Sequence, residues 1–262
     1  MKKQIKKIII GIVVITLIIL IWQFTVEYFD IPKRIIPKPT DLWDFIQKEF
    51  FTSHSSRYTS VLTKALSSIK DAFIGFTISL LLGSVIGIVL SQSKFIYSIF
   101  FPIIFLSQLI PVPALAPILA AIFGYGYSTK MILIVLFTLF PVAIAVRSSI
   151  LNIPENYTQL LSTYTDSKRE TFRYLILPSL VPPLLSTMKI LSTASIVATI
   201  ITELPLSVRN GIGKDIYNSF NNQMIPRVWV SVIIISLLSL IFFTLLSNFE
   251  KYINNKYKYG QY

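Results

Sequence analysis

Apolar residues along this chain come in long runs rather than in alternation. Six stretches stand out: Ile8–Phe24, Ala72–Leu90, Phe95–Phe123, Met131–Val146, Leu177–Thr202 and Val228–Leu246. A run of about 18 residues with few charges is long enough to cross a bilayer, because about 20 residues at 1.5 Å rise span the hydrocarbon. The pattern predicts an all-α integral membrane protein with about six transmembrane helices. Two shorter segments between the runs keep a helical period instead. In IPKPTDLWDFIQKEFF, Leu42, Phe45, Ile46 and Glu49 fall at i, i+3, i+4 and i+7, an amphipathic helix suited to the outer membrane surface. In Ile153–Ile176, Tyr157, Leu160, Leu161 and Tyr164 share the same spacing.

The first run follows MKKQIKK and ends in Trp22-Gln23-Phe24 with no small-residue cleavage motif, so an uncleaved anchor is expected. Six crossings put both termini on one side. Lys2, Lys3, Lys6, Lys7, Lys251, Lys256 and Lys258 mark that side as cytoplasmic, and the segment from Arg147 to Arg173 with it. Lys33, Arg34, Lys38, Lys48 and Arg57 fall in the first external loop, so the orientation rests on the short flanks. Three units are expected: an anchor and connector over 1–57, a membrane domain over 58–252 and a cytoplasmic tail over 253–262.

Composition agrees with a bilayer as solvent: 53% of residues are hydrophobic and the mean hydropathy is +0.68. The net charge of +12 is spread over loops with no basic face carrying interleaved aromatics, which fits lipid headgroups rather than nucleic acid. There is no cysteine and one histidine, His54, which excludes thiolate sites and leaves no histidine cluster for a metal or a triad.

Within the second run, Gly75, Ser79, Gly83, Gly87 and Ser91 recur every four residues on one helix face, and Gly83–Gly87 is a GxxxG pair. Close packing on another helix is expected, in the same chain or in a second subunit. The third run contains Pro102, Pro111, Pro113 and Pro117. Each removes a backbone donor, so a helix broken across Pro111–Pro117 is expected. Broken backbone at membrane depth survives where it is buried in protein or lines a watery cavity, which makes these prolines candidates for a translocation path or a structural kink.

The segment between the fourth and fifth runs predicts two short helices. Pro154 suits the first position of one, Thr165-Asp166 breaks it, and Ser167 to Glu170 reads as a capping box opening the second, which Leu177-Pro178 ends. Such a knob offers a cytoplasmic partner a handle on two spans; an amphipathic loop on the inner leaflet is the competing reading, with Lys168, Arg169 and Arg173 on phosphates.

The stretch QLLSTYTDSKRETFRYLILP resembles the cytoplasmic "EAA" loop of type I ABC importer permeases. Gln159, Leu160 and Leu161 stand where that pattern has Glu-Ala-Ala, and Thr165 stands for its glycine. Leu175, Leu177 and Pro178 keep its ending. PVPALAPILAAIFGYG, GFTISLLLGSVIG and IVATIITELPLSVRNGIGKDI are similar to segments of the nitrate, sulfonate, taurine and thiamine-precursor branch, and IIPKPTDLWDFI to its external pre-domain segment. The resemblance covers roughly Tyr58 to Tyr252. It implies the type I ABC importer permease fold, a homodimer with one path at the interface, and a coupling loop containing Tyr157, Leu160, Leu161, Tyr164, Thr165, Asp166, Ser167, Phe172, Leu177 and Pro178. Two cytoplasmic ATPases would hold those loops, and an extracellular solute-binding protein would deliver a small solute containing sulfur or nitrogen.

No nucleotide site is expected in the chain itself. GIGK at Gly211–Lys214 has Val208 where a P-loop needs its first glycine and Asp215 where a hydroxyl must meet magnesium. ATP would be bound by the partner. Lys189 lies within the fifth span, where a central lysine costs roughly 2.5–3.5 kcal/mol; an anionic-solute site competes with a structural role, as an ion pair or a lysine snorkelling to the inner end, and the structural role is favoured. Glu203 ends that span and either gates the outer mouth or terminates the helix. The hydroxyls at Ser186, Thr187, Ser192, Thr193, Ser195 and Thr199 fit a water-lined helix or bonds to their own backbone. A secondary transporter would show an inverted repeat and intramembrane acids, and a membrane enzyme convergent acids or histidines; the sequence displays neither pattern.

Overall fold

A computed structural model describes residues 2–49, 60–204, 206 and 210–257. His54, Arg57, Pro205, Val208 and Lys258 lie outside the described residues. The helices are α1 (Lys2–Tyr28), α2 (Pro39–Gln47), α3 (Val61–Ser91), α4 (Lys94–Leu109), α5 (Val112–Phe123), α6 (Tyr127–Leu151), α7 (Glu155–Ser162), α8 (Lys168–Thr171), α9 (Leu177–Glu203), α10 (Ile212–Asn221) and α11 (Ile225–Tyr257). No strand occurs among the described residues. Among the described residues five helices are long and apolar enough to cross a membrane, and the α4–α5 pair, bent by 112°, is a further candidate.

The packing of α3 on α6 decides how that pair runs. Gly75 faces Ile134, Gly83 faces Leu139 and Val142, and Gly87 faces Ala143 and Val146. Residue numbers rise together on both helices, so α3 and α6 are parallel. The intervening α4–α5 must return the chain from the end of α3 to the start of α6, and the bent pair therefore makes one passage along the bundle. The small-residue ladder thus packs within the chain. A Cβ on Gly83 or Gly87 would meet the Leu139 carbonyl at 2.7 Å or the Ala143 carbonyl at 2.6 Å, so these positions admit only glycine without a shift. Ser79 joins the contact by donating to the Val135 carbonyl at 3.1 Å, and Thr138 pairs with Ser79 at 2.7 Å.

The proline-rich run departs from expectation in one respect. The backbone breaks only at Ile110-Pro111, and α5 resumes at Val112 and continues through Pro117. Pro113 stands in the first turn, where no N–H is required, so a helical donor is removed only at Pro117 in α5 and at Pro102 in α4. α5 packs Ala116 and Ala120 on Leu133 and Leu206.

α9 runs antiparallel to α3 and α6, and α11 antiparallel to α9. Phe76, Val142, Val146, Leu180 and Leu191 form one core of the bundle, and Ala65, Ala72, Ile196, Ile212 and Ile235 another. α1 meets the rest through α2 and a Trp22–Trp229 ring contact with centroids 5.1 Å apart. The Lys2 end of α1, the Tyr257 end of α11 and the α7–α8 segment consequently lie at one end of the bundle. α2 and α10 lie at the other.

Candidate functional site

At the α10 end, the polar residues of four helices converge where the bundle is driest. Lys130 is fully buried on the first turn of α6, and its Nζ is 2.5 Å from Asp71 Oδ2 on α3 and 2.5 Å from Glu203 Oε1 on α9. Ser68 donates to Glu203 at 2.7 Å and accepts from the Ile212 N–H at 2.9 Å. The Gly213 N–H donates to Glu203 Oε2 at 2.8 Å, placing the carboxylate at the positive end of α10. A Cβ on Gly211 would lie 2.6 Å from Glu203 Oε2, so the Gly-x-Gly of the sequence is what lets α10 approach.

A second group of charges adjoins the first. Arg227 of α11 forks onto Asp215 of α10, at 3.0 Å from Nε and 3.2 Å from Nη2, and reaches Glu49 at 3.4 Å. Lys64 of α3 also contacts Asp215. Glu49 in turn accepts from the Val61 N–H at 3.2 Å, which ties the end of the first connector to the start of α3. Beside it, α2 is fastened by Asp41, which accepts from Lys33 at 2.7 Å and from the Lys38 N–H at 3.1 Å. Burial pushes the Asp41 carboxyl up, but these bonds and the two lysine charges outweigh it and hold the group below its ordinary 3.8.

Lys189 and Glu203 do not share a site. Fourteen residues along one helix separate them by about 21 Å, and Lys189 pairs with Glu250 of α11 at 2.5 Å, where Ser186 also donates at 2.8 Å. The ion-pair geometry is the one formed. Glu203 is both the last residue of α9 and fully enclosed. Ser192, Ser195 and Thr199, with Thr202 beyond them, are buried and donate to carbonyls of their own helix at 2.7–2.9 Å, so half of the hydroxyl stripe faces neighbouring helices, whereas Ser186 and Thr193 are exposed. Pro111 and Pro117 lie exposed on the α5 side, apart from both charges.

The opposite end has another character. α7 and α8 have no buried residue. Tyr157, Leu160, Tyr164 and Phe172 are exposed, Tyr164 by 81%, with Leu161 partly covered beneath. Thr165 and Asp166 form the break. Pro154 caps α7 rather than standing inside it, because its ψ of 138° is extended. Ser167 precedes α8 as expected but makes no side-chain cap; instead its N–H donates to Thr165 Oγ1 at 3.1 Å. Leu177-Pro178 ends nothing. A π-helical turn over Phe172–Ile176 joins α8 to α9, and the Leu177 N–H donates to the Phe172 carbonyl five residues back. The extra residue in that turn accommodates the donor that Pro178 lacks.

The sequence reading singled out Glu203 and the Gly-x-Gly but missed Lys130, Asp71 and Ser68. One signal for them existed: the every-fourth-residue ladder, carried back one step from Gly75, lands on Asp71.

A family model described as "Binding-protein-dependent transport system inner membrane component" matches residues 79–258, more than half of the chain. The chain belongs to this family. It is an ABC importer permease, a helical membrane component of a transport system. A probable ABC transporter permease protein of Haemophilus influenzae is 24% identical over 87% of this permease and 90% of its own length. The formylaminopyrimidine transport permease protein ThiX of Halalkalibacterium halodurans is 26% identical over 89% and 90%. The nitrate import permease protein NrtB of Leptolyngbya laminosa is 24% identical over 84% and 78%. Among solved structures, an inward-facing MetNI methionine ABC transporter chain superposes with a TM-score of 0.63 at 13% identity, covering 72% of the permease and 94% of that chain. That likeness gives the permease the importer fold.

Proposed function

We propose that the chain is the permease of an ATP-driven importer for a small organic solute or oxyanion, with residues 58–252 as its membrane domain. The compounds named for its relatives, formylaminopyrimidine and nitrate, mark the range from which its solute is drawn. Two copies form the path, and an extracellular solute-binding protein meets the α10 end. A pair of cytoplasmic ATPases binds the α7–α8 end, which makes both termini cytoplasmic, and the ATP is theirs; the permease has no catalytic site of its own. Lys189 is structural through its pair with Glu250, and Pro111, Pro113 and Pro117 border the path beside α5.

The observation that carries this reading is the exposed apolar knob formed by Tyr157, Leu160, Tyr164 and Phe172, fixed to α6 at one end and continuous with α9 at the other. Exposed aromatic and aliphatic side chains on short helices in water are anchors for a partner's pocket. A socket that moves as a body then moves two spans.

Co-purification with the ATPase encoded beside this chain tests it. Wild type brings the ATPase down, and a Leu161→Asp, Tyr164→Asp variant inserts but comes down alone. A stable, solitary wild type defeats the importer coupling and favours an ATP-independent carrier.

A further inference from the structure

A groove between α3, α4 and α6 has no occupant in the chain. It encloses about 460 Å³ and is lined only by apolar side chains, among them Val85, Val89, Leu90, Phe100, Ile104 and Leu139. A second hollow of about 250 Å³ continues it toward the α4–α5 turn, and the two share Ile103, Leu136 and Phe140. Its wholly apolar lining suits a hydrocarbon chain rather than a polar solute.

Its lower mouth lies at the α7–α8 end, where α3 finishes and α4 begins. There Arg147 of α6 donates from Nε to the Leu90 carbonyl at 3.3 Å, and its guanidinium sits 3.5 Å over the Tyr97 ring. Leu90 is itself part of the groove wall, so the guanidinium stands at the opening. Lys94 is exposed one turn before Tyr97 on α4. Among the described residues neither Arg147 nor Lys94 has a carboxylate partner, whereas Lys64, Lys130, Lys189 and Arg227 all do.

We infer that this is a binding site for an anionic phospholipid: one acyl chain fills the groove and the phosphate meets Arg147 and Lys94. Arg147 keeps its two terminal nitrogens for phosphate, whose oxygens match the fork of a guanidinium. Tyr97 fixes that fork from the other side. The site is independent of the solute carried and of the ATPase contact. It places a membrane lipid against the α3–α6 seam and the flank of the bent helix pair.

The test is native mass spectrometry of the full-length permease released from nanodiscs of phosphatidylglycerol and phosphatidylcholine in equal parts. Wild type retains phosphatidylglycerol in preference, and Arg147→Gln lowers that preference about tenfold, as loss of a charge-assisted contact implies. Lys94→Gln lowers it less, and Arg147→Lys restores part of it. Ile103→Trp, which fills the groove from an exposed position, lowers retention of both lipids. Equal retention of the two lipids by wild type, or retention unaltered in both Arg147→Gln and Ile103→Trp, overturns the site. Because the chain has no cysteine, Ile103→Cys gives a single labelling position. Efficient crosslinking between two copies there shows that a second subunit covers the groove, which also overturns it.

Discussion

The two ends of this bundle put different kinds of residue to opposite purposes. At the α10 end Lys130, Asp71 and Glu203 are withdrawn from solvent and paired with one another, while at the α7–α8 end Tyr157, Leu160 and Tyr164 stand in the open. A buried charge is tolerated only when its partners stay in place, and an exposed apolar side chain persists only where something else covers it. One end is therefore built to keep its geometry, and the other presents the surface that the proposed ATPase contact would use. Outward and inward motions of the importer are expected to carry the α10 end as a unit.

The comparison breaks first at Lys130. Lys130→Met leaves two carboxylates buried without their cation, and removal of one partner of such a pair costs about 3–5 kcal/mol. The variant is expected to lose most of its folded yield in detergent; a thermal midpoint within a degree or two of wild type would show that the cluster is not what holds the α10 end. Next in size is Gly87→Val, which drives a branched side chain into the Ala143 carbonyl and Val146. Overpacking of this kind costs about 1–3 kcal/mol, and the thermal midpoint should fall while the mirror-image experiment, Gly11→Val on lipid-facing α1, leaves it unchanged.

Lys189→Met tests the pair nearest the α7–α8 end. Lys189 keeps a quarter of its side-chain surface, so its loss is expected to cost about 1 kcal/mol, less than at Lys130, with transport retained. Loss of transport with unchanged stability would return Lys189 to the solute path. Asp41 contributes least. Its folded pKa is depressed, so its contribution is complete above the ordinary aspartate value and disappears as pH falls through the lower folded value. The stability difference between wild type and Asp41→Asn, about 0.5 kcal/mol at neutral pH, should therefore vanish once the pH has fallen below that folded value.

Length and hydropathy made five spans and the α7–α8 segment legible, because each is a local pattern. The start of α3 was not: Lys64, Ser68, Lys70 and Asp71 read as the edge of the bilayer, and the hydrophobic run seemed to begin at Ala72, yet the helix starts at Val61. Lys70 is exposed, but Lys64, Ser68 and Asp71 belong inside because their partners arrive from 59 to 151 positions away. Pairings of that separation leave no periodic trace. The continuation from α8 into α9 was hidden for a different reason. Leu177-Pro178 signals a stop under α-helical bonding, and only a turn with wider bonding removes the objection.

That continuity has a mechanical consequence. Lys168 to Glu203 is one helical rod of 36 residues, about 54 Å in length. It is pinned part-way along by Glu250 and ends inside the Lys130 cluster. A rod so held carries an axial push from the knob past Lys189, about 31 Å along, to Glu203, about 21 Å further. Because that tip is bound to α3, α6 and α10, the stroke is delivered to the whole α10 end at once.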